Sequence, residues 1–317
     1  MNRAPGLREI EEARDRIKDF VHRTPVLTCQ SINRMVGASL FFKCENFQKA
    51  GAFKIRGACN AVLSLPEEEA CRGVATHSSG NHAAALALAA RWRGVPAYVV
   101  MPENAPQIKK MAVAGYGANI FFCKPTLEAR EETLARVLAS TGAAFIHPYN
   151  DARVIAGQGT AGLELCEDEP ELDAVMAPVG GGGLLGGTSI AVSALQPSSM
   201  VIGAEPEQAD DAYRSLQAGR IVPAGNPLTI ADGLRTSLGD MTFAVIRNHV
   251  KEIVTASEEG ITDAMRTVWE RMKIIVEPSA AVPLAALLTN RIDLSGKRVG
   301  VIISGGNLDL DRLPWQK

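Results

Sequence analysis

Short apolar runs and longer amphipathic stretches take turns along the chain, and their periods separate strands from helices. Runs 40–44, 73–76, 97–101, 119–122 and 144–146 are short and apolar and predict strands. Between them, 58–65, 83–93, 106–114 and 127–140 read as helices, the second alanine-rich and the last charged and amphipathic. Further strands are predicted at 174–179, 201–204 and 298–303, with helices at 184–195 and 261–272. Alternation this regular predicts an α/β fold with parallel sheets covered on both faces. In such sheets ligands lie beyond the carboxyl ends of the strands, so the loops there are where chemistry is expected. No internal repeat or low-complexity segment interrupts the pattern. The cluster His147-Pro148-Tyr149-Asn150-Asp151 is the best candidate for a crossing point between two domains.

Composition narrows the class without naming it. At 317 residues, 46% hydrophobic and 21% charged, the chain is long enough for two domains or one large α/β unit of ordinary globular character. A formal net charge of -2 leaves no basic footprint for nucleic acid or an anionic membrane. Residues 1–20 are charged and helix-like, so no signal peptide is expected, and no stretch has the length and purity of a membrane span. Six cysteines (Cys29, Cys44, Cys59, Cys71, Cys123, Cys166) lack the paired spacing of a zinc site or disulfide framework. Reduced packing thiols in a cytoplasm are the expectation.

Three loops and one lysine carry the candidate chemistry. In Gly51-Ala52-Phe53-Lys54-Ile55-Arg56-Gly57-Ala58 a lysine sits between an aromatic and a β-branched residue. An amine that loses hydration among apolar groups has a lowered pKa and becomes a nucleophile able to form a Schiff base with a carbonyl. Taken alone, such a lysine reads as a surface charge at a helix start. The loop Thr76-His77-Ser78-Ser79-Gly80-Asn81-His82 joins a strand to a helix, and its hydroxyls, amide and helix start suit a carboxylate beyond what one N-cap requires. The loop Gly180-Gly181-Gly182-Gly183 again joins strand to helix and lets backbone amides converge on a phosphate. Gly181-x-Gly183-x-x-Gly186 also matches the dinucleotide fingerprint, with Glu205 placed as a ribose-binding acid, so a nicotinamide-dependent dehydrogenase is an alternative. Against it, that fingerprint usually opens the first βα unit of its domain, and Lys54 would be unexplained. The third loop, Ser304-Gly305-Gly306-Asn307, follows the strand at 298–303 and is weak by itself.

Together and in this order, these four stretches resemble the fold type II pyridoxal-phosphate enzymes (tryptophan synthase β-like), nearest to the serine racemase and serine/threonine dehydratase branch. Within that branch, 204–211, Glu277-Pro278-Ser279-Ala280-Ala281 and 307–311 are most similar to the β-hydroxyaspartate dehydratases. The resemblance implies two parallel or mixed sheets, each flanked by helices, with a small domain, 73–149, inserted in a large one, 1–72 and 150–317. It implies that Lys54 binds pyridoxal 5'-phosphate and removes the substrate Cα proton. Gly180, Gly181, Gly182 and Gly183, with the helix from Leu184, would cradle the phosphate. Phe53 would pack beside the cofactor, Asn81 would bond the ring hydroxyl oxygen, and Ser304 would meet the pyridine nitrogen. Ser78, Ser79, Gly80, Asn81 and His82 would grip the substrate carboxylate. Ser79 could also serve the face opposite Lys54, which permits racemisation. Ala52 stands where many relatives have serine, a mild departure. Glu205, the Ala209 carbonyl and Asp211 would hold a divalent cation, Mg²⁺ or else Ca²⁺ or Mn²⁺, in competition with the ribose reading of Glu205.

The function so implied is an ammonia-lyase that dehydrates a β-hydroxy amino acid, most specifically 3-hydroxyaspartate. Serine/threonine dehydratase and serine or aspartate racemase are the neighbouring readings. A second substrate carboxylate would need a cation, from Arg130 or Arg235; Arg130 also reads as half of an i,i+4 surface pair. A cytoplasmic homodimer acting on a small amino acid, with no nucleic-acid or membrane partner, completes the expectation.

Overall fold

A computed structural model describes residues 3–78, 80–105 and 107–316. Its strands in chain order are β1 (Val26–Leu27), β2 (Ser39–Cys44), β3 (Val74–His77), β4 (Ala97–Pro102), β5 (Asn119–Cys123), β6 (Ala144–Phe145), β7 (Ala174–Pro178), β8 (Met200–Pro206), β9 (Glu252–Ala256) and β10 (Arg298–Ile303). They form two sheets, one in the order β1-β2-β10-β7-β8-β9 and one in the order β5-β4-β3-β6. All pairings are parallel except β1 on β2. The α/β class and the pair of parallel or mixed sheets are as expected.

The apolar runs explain the central strands. Successive side chains point to opposite faces, so a strand covered on both faces must be apolar throughout. In β7, Ala174 and Met176 enter the core shared with helices Glu258–Met272 and Pro278–Leu288. Val175 and Ala177 enter the core on the other face, beside Leu184 and Leu185 of helix Gly183–Leu195. Ile302 and Ile303 of β10 divide in the same way.

Several boundaries move by one to a few residues, and one shift matters. The helix expected at 58–65 spans Lys54–Leu63, so the lysine itself stands in the first helical turn. Strands β1 and β9 and helix Ala152–Asp168 have no counterpart in the apolar pattern. That helix is buried along most of its length, with Gly157, Gly159 and Gly162, set among Val154, Ile155, Leu163 and Leu165, allowing close approach. A Cβ on Gly159 would lie 2.9 Å from the Gly187 carbonyl oxygen, which shows how nearly helices Ala152–Asp168 and Gly183–Leu195 touch. All six cysteines are free; four are buried, while Cys71 is exposed and Cys29 half-buried, which corrects a uniformly packing role. No helix among the described residues is long and apolar enough to cross a membrane.

Every candidate loop leaves the carboxyl end of a strand. β2 leads toward Lys54, β3 to Ser78, β6 to His147, β7 to Gly180, β8 to Asp211 and β10 to Ser304. Because the strands of each sheet run parallel, their loops collect at one edge, and the two edges meet.

Candidate active site

Lys54 is held where the edges meet. Its backbone is fixed by the neighbouring loop: the Phe53 N–H donates to the Ser304 carbonyl (3.0 Å), and Ala52 bridges Gly305 in antiparallel fashion. Its Nζ donates to the Pro148 carbonyl at 3.0 Å and lies 5.1 Å from the Phe53 ring centroid. Although the residue is partly open to the cleft, lost hydration dominates at the amine and pulls its pKa down to about 8, with Glu277 pulling the other way. Burial disfavours the ammonium form, so the nucleophilic neutral amine is reached at a lower pH. In cofactor-free protein, capture of a small aldehyde by Lys54, fixed with borohydride and read by mass spectrometry, should therefore rise with pH around a midpoint near 8. A midpoint at the ordinary lysine value, 10.5, would show that the burial has no effect.

The glycine loop is a buried anion cradle. Gly182 has φ +86, a left-handed conformation natural only to glycine, and it turns the chain into helix Gly183–Leu195. Thr242 Oγ1 donates to the Gly181 carbonyl at 2.8 Å and fixes that peptide. Among the described residues the backbone N–H groups of 180–184 donate to no partner. Buried N–H groups normally find acceptors, so a set of them converging at a helix N-terminus suits a phosphate. Leu184 itself is buried in the core behind the loop.

The Ser78 loop builds a second, smaller cradle. Gly80 precedes helix Asn81–Arg93, its N–H donating to Ser78 Oγ at 3.3 Å, and the Asn81 and His82 N–H groups take no backbone partner among the described residues. The His82 ring is buried, with Nε2 3.4 Å from the Ile146 carbonyl and Nδ1 without a hydrogen-bond partner among the described residues. Burial holds this imidazole well below its usual pKa. Ser79 lies outside the described residues. Ser304 is buried at the end of β10.

Asn81 and Lys54 share a neighbour that the sequence reading did not single out as a site residue. The Asn81 Nδ2 donates to Glu277 Oε1 (3.0 Å) and Oε2 (3.1 Å), and Asn81 Oδ1 accepts from Asn307 Nδ2 (3.0 Å). Burial pushes Glu277 up to about 7, a shift increased by Asp232 and opposed by the Asn81 bond. Tyr149 is another residue passed over; a Cβ on Gly181 would run into its ring. His147 Nδ1 accepts the Tyr149 and Asn150 N–H groups (3.3 and 2.9 Å), and burial takes its pKa down to about 4. Both Glu277 and Asn307 stood in quoted motifs, yet only their partners reveal what they do.

Of the two candidate arginines, Arg235 is exposed and turns Nε and Nη2 onto the Thr229 carbonyl. Arg130 is half-buried on helix Leu127–Thr141, and its charge helps depress the pKa of His77 at the end of β3, after burial. Its Nε lies 3.4 Å from the Thr126 carbonyl at the start of its own helix.

At the end of β8, Glu205 is fully buried and accepts the Ala212 N–H (3.1 Å) and the Tyr213 N–H (2.9 Å). Both oxygens of the buried Asp211 are without a hydrogen-bond partner among the described residues. Burial raises both acids, Asp211 to about 7, and Asp211 raises Glu205 further. Buried carboxylate oxygens with spare lone pairs fit a hard cation. No group of three or more His, Cys, Asp or Glu that could hold a metal occurs among the described residues, so a cation here would also need the Ala209 carbonyl and water. The ribose role for Glu205 fails, because the residue is fully buried and no ribose could reach it.

Known proteins match this geometry over the whole chain. The family model described as pyridoxal-phosphate dependent enzyme matches residues 17–305. The β-hydroxyaspartate dehydratase of Paracoccus denitrificans (strain Pd 1222) is 55% identical over 311 residues, covering 98% of this chain and 99% of that protein. The serine racemase of Arabidopsis thaliana is 51% identical over 315 residues, covering 98% and 95%. The structure of maize serine racemase superposes with a TM-score of 0.96 at 48% identity, covering 97% of this chain and 95% of that one. A depressed lysine amine beside a buried phosphate cradle is what a covalently held aldehyde phosphate requires, and the nicotinamide alternative is set aside. The chain belongs to the pyridoxal-phosphate-dependent enzyme family.

Proposed function

We propose that this enzyme dehydrates 3-hydroxyaspartate, giving iminosuccinate and, after hydrolysis, oxaloacetate and ammonia. The similarity to the Paracoccus dehydratase supports the substrate, and the observation that carries the chemistry is Lys54, an amine depressed to about 8 where the two sheet edges meet. Pyridoxal phosphate, when bound, supplies an electron sink for the pair left on the substrate Cα. Lys54 holds the cofactor and then takes the Cα proton at Nζ. Residues 180–184 hold the phosphate with their free N–H groups and the positive end of the helix. Phe53 limits the cleft beside Lys54, and Asn81 presents its amide to the ring hydroxyl oxygen. Ser304, a neutral hydroxyl facing the ring nitrogen, keeps the sink weak and so favours prompt loss of the β-hydroxyl. Ser78 Oγ and the N–H groups of Asn81 and His82 orient the substrate α-carboxylate. Arg130 meets the second carboxylate.

Turnover of holoenzyme on threo- and erythro-3-hydroxyaspartate, L-serine, D-serine and L-threonine, read for keto acid and for inverted enantiomer, tests the reading. Keto acid chiefly from a hydroxyaspartate is expected; inverted serine exceeding keto acid would make the enzyme a racemase. On the same panel Arg130→Ala should cost hydroxyaspartate turnover far more than serine turnover, and equal losses would remove Arg130 from the site.

Glu205, Asp211 and the Ala209 carbonyl hold Mg²⁺, or Ca²⁺ or Mn²⁺, in this reading, and the ion orders the start of helix Asp211–Ala218. Adding Mg²⁺ at about 100 times its Kd should stabilise the protein by ~2.7 kcal/mol, reversibly with chelator. An Asp211→Ala variant that gains as much from Mg²⁺ would refute the site. The division into domains 1–72 with 150–317, and 73–149, follows the two sheets. A cytoplasmic homodimer completes the proposal; the free cysteines suit that compartment.

A further inference from the structure

Asn81 is useful to a cofactor only if its amide points the right way, and a primary amide fits its envelope in either of two orientations. Its neighbours decide between them. The chain of hydrogen bonds begins at the Ala50 carbonyl, which can only accept and takes Asn307 Nδ2 at 2.7 Å. The same Nδ2 donates to Asn81 Oδ1 at 3.0 Å. Asn81 Nδ2 then donates to both oxygens of Glu277, at 3.0 and 3.1 Å. The Ala50 carbonyl can only accept, so it fixes the Asn307 NH₂ and through it the Asn81 oxygen whatever the charge on Glu277; Glu277, raised to about 7, adds to that polarity as it ionises, since an ionised carboxylate is acceptor-only. Both ends of the chain therefore impose one polarity. Turning Asn81 over would set its oxygen against the Glu277 carboxylate and its NH₂ against that of Asn307, two repulsive contacts.

Glu277 is built into this place. It is 3% exposed and stands just before helix Pro278–Leu288 with its side chain not used as a cap, while its own N–H donates to the Gly305 carbonyl at 3.0 Å. The carboxylate fills the space beside Gly305, where a Cβ would come within 2.7 Å of Oε1. Its charge favours the ammonium form of Lys54; Asp232 and Lys109 are the charged groups that act on it in turn. Asp232 and Lys109 pair with each other.

We propose that Glu277 is a positioning residue that, at the end of the Ala50–Asn307–Asn81–Glu277 chain, takes one Asn81 N–H between its two near-equidistant oxygens and so leaves the other N–H to donate to the cofactor ring oxygen. This rests on the reading that Asn81 faces that oxygen. Three elements far apart in sequence thus act on one amide: the turn at Ala50, the segment after β10 and the start of helix Pro278–Leu288.

The test uses the absorption of the lysine-bound cofactor, whose protonated and ionised ring-hydroxyl forms absorb in different bands. A donated hydrogen bond favours the ionised form. Glu277→Met, close in volume and without an acceptor, should lower the ionised-to-protonated band ratio by roughly three- to tenfold, the worth of one hydrogen bond. Glu277→Ala removes the same acceptor at smaller volume, should Met not pack. Glu277→Gln, whose carbonyl still accepts from Asn81, should restore most of the ratio. In an Asn81→Ala background Glu277→Met should change the ratio less than about twofold, since the two act as a unit. A normal ratio in Glu277→Met while Asn81→Ala shifts it would overturn the proposal, as would an equal shift in both backgrounds. A normal ratio in Asn81→Ala would instead remove the reading of Asn81, and the proposal with it. A purely structural role for Glu277 would lower the thermal midpoint and leave the ratio alone.

Discussion

Replacing Lys54 with alanine is expected to reduce hydroxyaspartate turnover on the order of 10⁴-fold or more. General acid–base catalysis by one positioned group contributes roughly 10²–10⁴-fold, and this lysine is also the covalent anchor, so two losses combine. The neighbouring imidazoles cannot form the imine. His82 is buried against the Ile146 carbonyl, and His147 Nδ1 is already occupied by two backbone N–H groups. Lys54→Arg should be no better, because a guanidinium does not give up its proton and cannot form the imine. The measurement is keto acid release by purified variant protein reconstituted with pyridoxal phosphate, with borohydride labelling as a second readout. Label that persists in the alanine variant at another lysine, together with turnover within about tenfold of the wild type, would displace Lys54 from the centre of the mechanism.

The second large effect lies two residues further on. Arg56 is fully buried and meets two carboxylates at once. Its Nε and Nη2 donate to Glu45 (2.7 and 2.9 Å), and Nη1 and Nη2 to Glu164 (2.7 and 2.8 Å). Thr160 Oγ1 accepts a further bond from Nη1 at 3.1 Å. Lys43, also fully buried, pairs with Glu164 at 2.7 Å and donates to the Thr24 carbonyl at 2.7 Å. The network joins β2, helix Lys54–Leu63 and helix Ala152–Asp168 directly beneath the catalytic turn. Arg56→Met should destabilise the fold by about 3–5 kcal/mol, because it leaves Glu45 without its cation in a dry interior. Denaturant unfolding checks this. Replacing Glu45 in the same chain by an apolar residue of similar size should recover part of the loss, since the penalty belongs to the uncompensated charge. A loss under about 1 kcal/mol in Arg56→Met would mean that water reaches the network and screens it.

Arg56 also shows why much of the site could not be read from the chain. In sequence it is one basic residue in a lysine-centred motif; Glu45 and Glu164 are 11 and 108 positions away. The same holds for Glu277, which bonds Asn81 across 196 positions, and for Pro148, whose carbonyl takes the Lys54 amine across 94. Helix Ala152–Asp168 escaped the apolar pattern because buried glycine, glutamine, threonine and glutamate interrupt Val154, Ile155, Leu163 and Leu165. Strand β9 was missed as well, its five residues including a glutamate and a threonine.

What the sequence determined by itself was local. Alternating apolar periods set the α/β class because a doubly covered parallel strand must be apolar on both faces. The glycine loop and Lys54 were legible because left-handed backbone, open amides and an amine among apolar neighbours are properties of a few adjacent residues. Tertiary structure alone decided what surrounds them: the polarity of the Asn81 amide, the charge beside Lys54, the turning of Arg235 onto Thr229, and the burial of both Asp211 oxygens without a partner among the described residues. Those depend on which distant groups share a low-dielectric interior, and in such an interior hydrogen-bond direction and proton affinity belong to the packed set of residues.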